Sequence, residues 1–255
     1  DRIARTLEYL SRRGLQALLP YKKSADGQYV CSVDGDFWQL VPFLKGEPLD
    51  RAKYYFDQWR APLMSGFLIA FREAAAIFPR SETEHIFSLK EYISRMLRQM
   101  ERHHPQVRRD VDPVVDFLEA GFLPFYDQLP IAFCHGDFHP LNIIWGEKDL
   151  LAVIDWEFCG YKPEIYDVAN MVGCLGMEHP DCLEGPLVRD FIRQMREAHV
   201  MAPSSWDRFG AFVLALRFAW LAEWLRKNDK PMIGLELDYM HLLMERKIAS
   251  DGSYR

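Results

Sequence analysis

His135-Gly136-Asp137-Phe138-His139-Pro140-Leu141-Asn142 is followed, one short turn later, by Val153-Ile154-Asp155-Trp156-Glu157. Around these two stretches the chain alternates between apolar runs and turn residues. Leu129 to Cys134 is mostly apolar and leads into the first stretch as a short extended piece. Asn142 to Trp145 reads as a strand, Gly146-Glu147-Lys148-Asp149 as a turn, and Leu150 to Ile154 as a second strand rich in aliphatic residues. A hairpin of that length folds back on itself. Asp155, at the end of the second strand, is therefore expected beside Asn142, at the start of the first.

Two acids and an amide brought together in this way suit phosphoryl transfer. That reaction needs an in-line nucleophile, a group to take or orient its proton, and cations on the phosphate oxygens. Asp137 is the candidate for accepting and orienting the proton of a substrate hydroxyl. Asn142 offers a neutral amide oxygen and Asp155 a charged one. Mg²⁺ favours such a sparse set of hard oxygen donors, completing its shell with water and phosphate. The first stretch fits H-x-D-x-x-x-x-N, the pattern of kinase catalytic loops, and Asp155 stands where kinases hold Mg²⁺. Singly these residues have structural readings: Asp137 as a turn residue, His135 as a buried hydrogen-bonding histidine, Asp155 as a cap. The combination of strand, loop, hairpin and apolar-Asp-aromatic is far more specific.

With His135-Gly136-Asp137, His139-Pro140, Asn142, Ile154-Asp155-Trp156 and Tyr166-Asp167-Val168-Ala169, the chain resembles the aminoglycoside phosphotransferase and choline kinase family, the small-molecule branch of the kinase-like fold. The resemblance runs from about Gln28 to the C-terminus and is specific between Cys134 and Asn170. It implies an α+β, protein-kinase-like fold with a truncated small β lobe and a large, mostly helical lobe carrying the catalytic hairpin. It also implies Asp137 as catalytic base, His135 as a brace for the loop, Asn142 and Asp155 as magnesium ligands, and ATP with Mg²⁺ as cofactors. Asp167 would then be a buried support, although its position favours a helix N-cap for Val168 to Leu175. Protein kinases usually carry Arg where this chain has Gly136, and no long loop with a phosphosite follows Asp155. A small-molecule acceptor is therefore expected, without activation by loop phosphorylation.

The front of the chain departs from the family. No G-x-G and no G-x-x-x-x-G-K-[ST] occurs, and no lysine-bearing strand precedes the first helix. That helix is expected from Asp1 to Arg13, with Ile3, Leu7 and Leu10 at helical spacing. Its Glu8 is the candidate partner for the missing lysine, or a surface residue. Tyr29 to Val33, an Asp34-Gly35 turn and Phe37 to Leu44 read as a hairpin. By resemblance, Val41 to Leu44 is the hinge, with Val41, Phe43 and Leu44 as candidate adenine-binding positions; Pro42 has no N–H to give. Trp38 and Phe43 are expected to pack in the core. The expectation is a partial nucleotide lobe over residues 1–45, from a fragment or from lost first strands, and weak ATP binding by this chain alone. A helical catalytic and acceptor lobe covers 46–255.

Composition narrows the remainder. At 255 residues, half of them apolar, the chain can bury a sizeable core. A net charge of −6 leaves no electrostatic footprint for nucleic acid. Five cysteines without a C-x-x-C argue against a disulfide framework or a structural zinc site. No membrane span or signal peptide is visible, so a reducing cytoplasm is expected.

Helices are expected over Asp50 to Trp59, Ala61 to Phe78 with a stop at Pro79, Ser88 to His103, Val111 to Leu123, Leu187 to His199, Ser205 to Lys227 and Gly234 to Ile248. Glu223 and Trp224, on the penultimate helix, are candidate acceptor-site residues. The reaction expected is ATP-dependent phosphorylation of a hydroxyl on a small metabolite, a sugar or amino sugar first, with choline, homoserine or an aminoglycoside as alternatives. Two rival readings remain at this point. One is a metal-dependent hydrolase using His135, Asp137 and His139; the other is a binding module that has lost phosphate handling.

Overall fold

The computed structural model describes residues 1–78 and 85–246. Helix α1 (Arg2–Arg12) buries Leu7 and Leu10 on the face their spacing dictates. Strands β1 (Cys31–Val33) and β2 (Asp36–Trp38) pair antiparallel across Asp34-Gly35. Both turn residues have positive φ, 53° and 89°, which explains why Asp-Gly stands there.

The second strand stops at Trp38 rather than reaching Leu44. Beyond it the chain runs on without a ladder, apart from a bridge between Leu40 and Lys22. Trp38 and Phe43, expected in the core, are 61% and 91% exposed. A two-stranded ribbon buries only what packs against it, and nothing among the described residues covers these two rings. At the passage into the second part of the chain, Glu47 donates its N–H to the Trp145 carbonyl at 2.7 Å.

The helix expected over Asp50 to Trp59 is a single 3₁₀ turn, Tyr54–Phe56. Asp50 turns its own carboxylate onto the Ala52 N–H, an alternative to helix that short acidic side chains favour, and the three aromatic residues that follow are weak helix formers. Helix α2 (Arg60–Ala75) ends before Phe78; Pro79, its expected stop, lies outside the described residues. Helix α3 (Leu89–His103) is capped by Ser88, which accepts the Glu91 N–H. Helices α4 (Pro105–Asp110) and α5 (Asp112–Gly121) follow.

Strand β3 (Ile131–Cys134) leads into the catalytic stretch, and β4 (Ile143–Trp145) pairs with β5 (Leu150–Val153) as the expected hairpin. Strand β6 (Gly160–Pro163) returns antiparallel to β3. Five helices close the chain: α6 (Tyr166–Glu178), α7 (Pro186–Glu197), α8 (Pro203–Trp206), α9 (Phe209–Lys227) and α10 (Lys230–Glu245). The single helix expected from Ser205 is broken between α8 and α9. The Ile248 end expected for the last one lies outside the described residues.

Helix α9 is buried all round from Ala211 to Phe218, and the sequence there is apolar except at Arg217. Phe212, Leu214 and Phe218 are fully enclosed between α6, α3 and α10. Each such side chain contributes about 1.5–3 kcal/mol over its exposed state. Helix α6 packs against α9, and α2 packs against β3 and β5. All five cysteines are free. No helix among the described residues is long and apolar enough to cross a membrane.

Candidate active site

The stretch after β3 is held by its own side chains and by one buried carboxylate from α6. Asp167, in the first turn of α6, accepts the N–H groups of His135 and Gly136, each at 2.8 Å. It does not cap its helix: Ile165 occupies that position. Two charge-assisted bonds to the loop outweigh one to the helix end.

His135 is enclosed, and both its ring nitrogens are committed. The Asp137 N–H donates to Nδ1 at 3.1 Å, so Nε2 carries the proton and donates to the Ile154 carbonyl at 3.0 Å. Burial holds the imidazole pKa below its usual value, which keeps this neutral tautomer. The ring thus ties the loop to the residue just before Asp155. With neither nitrogen available to a metal, the H-x-D-x-H hydrolase reading fails here. Among the described residues no group of three or more His, Cys, Asp and Glu is placed to hold an ion.

Gly136 has φ 90°, and a side chain there would run into the Phe158 carbonyl. That carbonyl in turn accepts the Lys162 ammonium at 2.6 Å. The glycine is demanded by the backbone, so an arginine at this place would need another loop path.

Asp137 is partly buried. Burial raises its pKa, but His139 and the Asn142 amide together hold the carboxyl below its usual range. The Asn142 Nδ2 donates to both the main-chain oxygen of Asp137, at 2.9 Å, and its Oδ2, at 2.8 Å. Committing the amide nitrogen turns the amide oxygen away from the carboxylate. Oδ1 of Asp137 faces His139 Nε2 at 3.5 Å and Asn170 Nδ2 at 3.3 Å. Because the Leu141 N–H donates to His139 Nδ1, the proton of that ring also sits on Nε2.

The hairpin places Asn142 beside Ile154, the residue before Asp155. Ile143 pairs with Val153, and the Ile154 N–H donates to the Asn142 carbonyl at 2.9 Å. Asp155 is the next residue, exposed, with φ 64° in the left-handed region that Asp tolerates better than most residues. An amide oxygen and a carboxylate at the open end of a hairpin are a donor set that fits Mg²⁺.

Asn170 was not singled out from the sequence. It lies three residues after Asp167 on α6, so both face the loop, and that spacing was the available signal. Val41, Phe43 and Leu44, the expected hinge positions, lie on an open extended segment. Their backbone N–H and C=O groups have no partner among the described residues. Glu8 faces Lys23 Nζ at 3.2 Å and also takes the Tyr29 hydroxyl.

A cavity of about 350 Å³ opens beside His139. Trp224 lines it, together with Trp220 on the preceding turn of α9. Glu223 does not line it. That carboxylate points to Arg226 and Lys227, which hold its pKa down at about 2. At the cavity floor Arg217 and Glu236 form a fully buried pair through two bonds of 2.6 and 2.8 Å.

The model of the phosphotransferase enzyme family (APH) matches residues 1–199. No curated protein matches. Among solved structures, the chain is similar to an amicoumacin kinase, hAmiN, in complex with AMP-PNP, Ca²⁺ and Ami. Identity is 13%, TM-score 0.70, and the match covers 98% of this chain and 78% of that one. A microcompartment-associated aminopropanol kinase gives 16% identity and TM-score 0.71, over 98% and 81% of the two chains. An aminoglycoside phosphotransferase from Alicyclobacillus acidocaldarius subsp. acidocaldarius DSM 446 gives 16% and 0.65, over 96% and 79%. At these identities the likeness establishes the kinase-like fold.

Proposed function

The chain belongs to the phosphotransferase enzyme family and is a small-molecule kinase acting on a hydroxyl; on that premise we propose that Asp137 orients and deprotonates this hydroxyl for attack on the γ-phosphate of ATP. The observation that carries the reading is the junction of loop and hairpin. Asn142 binds Asp137 through its amide nitrogen and sits across from Ile154, one residue before Asp155.

In this reading Asn142 and Asp155 hold Mg²⁺, which neutralises charge on the phosphate oxygens when bound. His135 and Asp167 touch no reactant. They position the loop, one through the Ile154 carbonyl and the other through two backbone N–H groups. The low pKa of Asp137 means that it is ionised at neutral pH and able to accept a hydrogen bond from the acceptor hydroxyl. The unpaired backbone of Val41, Phe43 and Leu44 is suited to adenine. This divides the chain into a nucleotide part, 1–45, and a catalytic and acceptor part from 46 onward.

The acceptor occupies the cavity beside His139, with Trp224 in its wall. A sugar or amino sugar is the first class to test. Amino alcohols and aminoglycosides are the alternatives, given the names of the similar structures. The deciding experiment is ADP release from Mg·ATP across a panel of sugars, amino alcohols and aminoglycosides, with transfer to the acceptor verified by mass. Acceptor-dependent release that disappears in Asp137→Asn supports the reading. Release without transfer, or transfer that survives the substitution, overturns it.

A further inference from the structure

Resting on the phosphotransferase reading of the same site, we propose that the cavity beside His139 selects an uncharged acceptor, a neutral sugar or polyol with an apolar face, over one bearing an ammonium group. The charged side chains in its wall are already matched. Arg217 Nε and its terminal nitrogen Nη2 grip the two oxygens of Glu236, and the Trp224 indole N–H adds a third donor at 3.3 Å. Glu236 is fully buried and both oxygens of its carboxylate are engaged. Nearer the mouth, Arg51 pairs with Glu178 at 2.5 Å. The two arginines and two glutamates sum to zero.

The nearest catalytic carboxylate, Asp137, is not among the side chains that line the cavity. An ammonium entering the cavity would lose its hydration and find no unmatched carboxylate in the wall. That is a costly exchange. A neutral hydroxylated ligand loses less, and the aromatic wall does not redress the balance for an ammonium, because Arg217 already lies over the Trp220 ring at 5.7 Å and Lys227 over the Trp224 ring at 5.3 Å. Trp220 and Trp224 lie one helical turn apart with ring centroids at 6.3 Å and planes 29° apart. The open parts of these two rings offer apolar surface to the C–H face of a sugar ring. Each hydroxyl on the opposite edge can reach His139 and the catalytic loop.

The test uses matched pairs of compounds that share a skeleton: N-acetylglucosamine against glucosamine, and 1,2-propanediol against 1-amino-2-propanol. Binding to the full chain with Mg·AMP-PNP is read by saturation-transfer NMR titration at pH 7, and phosphate transfer from Mg·ATP is read separately as ADP release. The neutral member of each pair is expected to bind about tenfold more tightly, the size of one unmatched polar group. Arg51→Gln frees the Glu178 carboxylate and is expected to narrow that preference to about twofold or less, while Trp220→Leu weakens N-acetylglucosamine about fivefold or more.

Equal or tighter binding of the ammonium members overturns the proposal, as does an absence of binding by every neutral member. ADP release with ammonium acceptors in that case leaves the phosphotransferase reading standing. The expected preference without ADP release from any compound supports the cavity's selectivity and overturns the phosphotransferase reading instead.

Discussion

Asp167 accepts the backbone N–H groups of His135 and Gly136 at equal distances of 2.8 Å, and so a carboxylate on α6 sets the path of a loop more than thirty residues upstream. It acts beside the bonds that His135 and Asn142 make to Asp137 itself.

Asp167→Ala should therefore damage both stability and rate. Two buried N–H groups lose their charged acceptor, and each such loss costs about 1–3 kcal/mol. The urea midpoint should fall accordingly. In variant protein that remains folded, kcat should drop far more than KM rises, because the loop is displaced while the acceptor cavity is intact. An unchanged kcat would remove Asp167 from the positioning chain.

Asp137→Ala should lower kcat by roughly 10²–10⁴-fold, the range for a positioned proton acceptor. Circular dichroism should be unchanged, since Asn142 and Asn170 lose one partner each at a partly solvated site. Steady-state kinetics on the purified variant decide the matter.

Asp155→Asn should shift the dependence on divalent ion. An amide oxygen replaces a charged one, so the Mg²⁺ concentration for half-maximal turnover should rise by at least about tenfold. Asp155→Ala should abolish Mg²⁺-dependent turnover. Titration of metal at saturating ATP measures both.

His135 should leave a signature in the pH dependence of stability. Its folded pKa lies below the ordinary 6.5 because burial disfavours the cation. Between the two values the unfolded chain binds the proton and the folded one does not. The contribution is thus full above pH 6.5 and is lost as pH falls below it. Urea midpoints measured from pH 7.5 to 5 should decline in the native protein. His135→Gln should show a flatter profile over the same interval, with a lower midpoint at pH 7.5. Parallel profiles would contradict the assignment.

Gly136→Arg should fail to fold or lose at least about 2 kcal/mol. It combines a left-handed φ with a collision against the Phe158 carbonyl. Thermal melts of the soluble fraction provide the measurement.

What could be read from the chain in advance was local. The β4–β5 hairpin, the Ser88 cap and the amphipathic α1 each depend on residues a few positions apart, where periodicity and turn chemistry act directly. The partnerships that cross the fold were not legible. Asp167 reads as a helix cap until the loop it faces is known. Arg217 and Glu236 carry no spacing signal, because their pairing depends on how α9 and α10 pack. Trp38 and Phe43 look like core residues by type, and their exposure follows from how little covers β1 and β2. The turn at Tyr54–Phe56 replaced an expected helix because Asp50 diverts the backbone locally.

Helix α9 has a final implication for how this protein can change. Eleven of its nineteen residues are buried, and the side chains it lends to the cavity are Arg217, Trp220 and Trp224. Evolution, or an engineer, seeking a new acceptor has very few free letters on this wall, and two of them, Arg217 and Trp224, are bonded to Glu236. Retuning specificity should proceed through Trp220, Trp224 and the loop bearing Arg51, while substitutions elsewhere on α9 would be paid in folding yield.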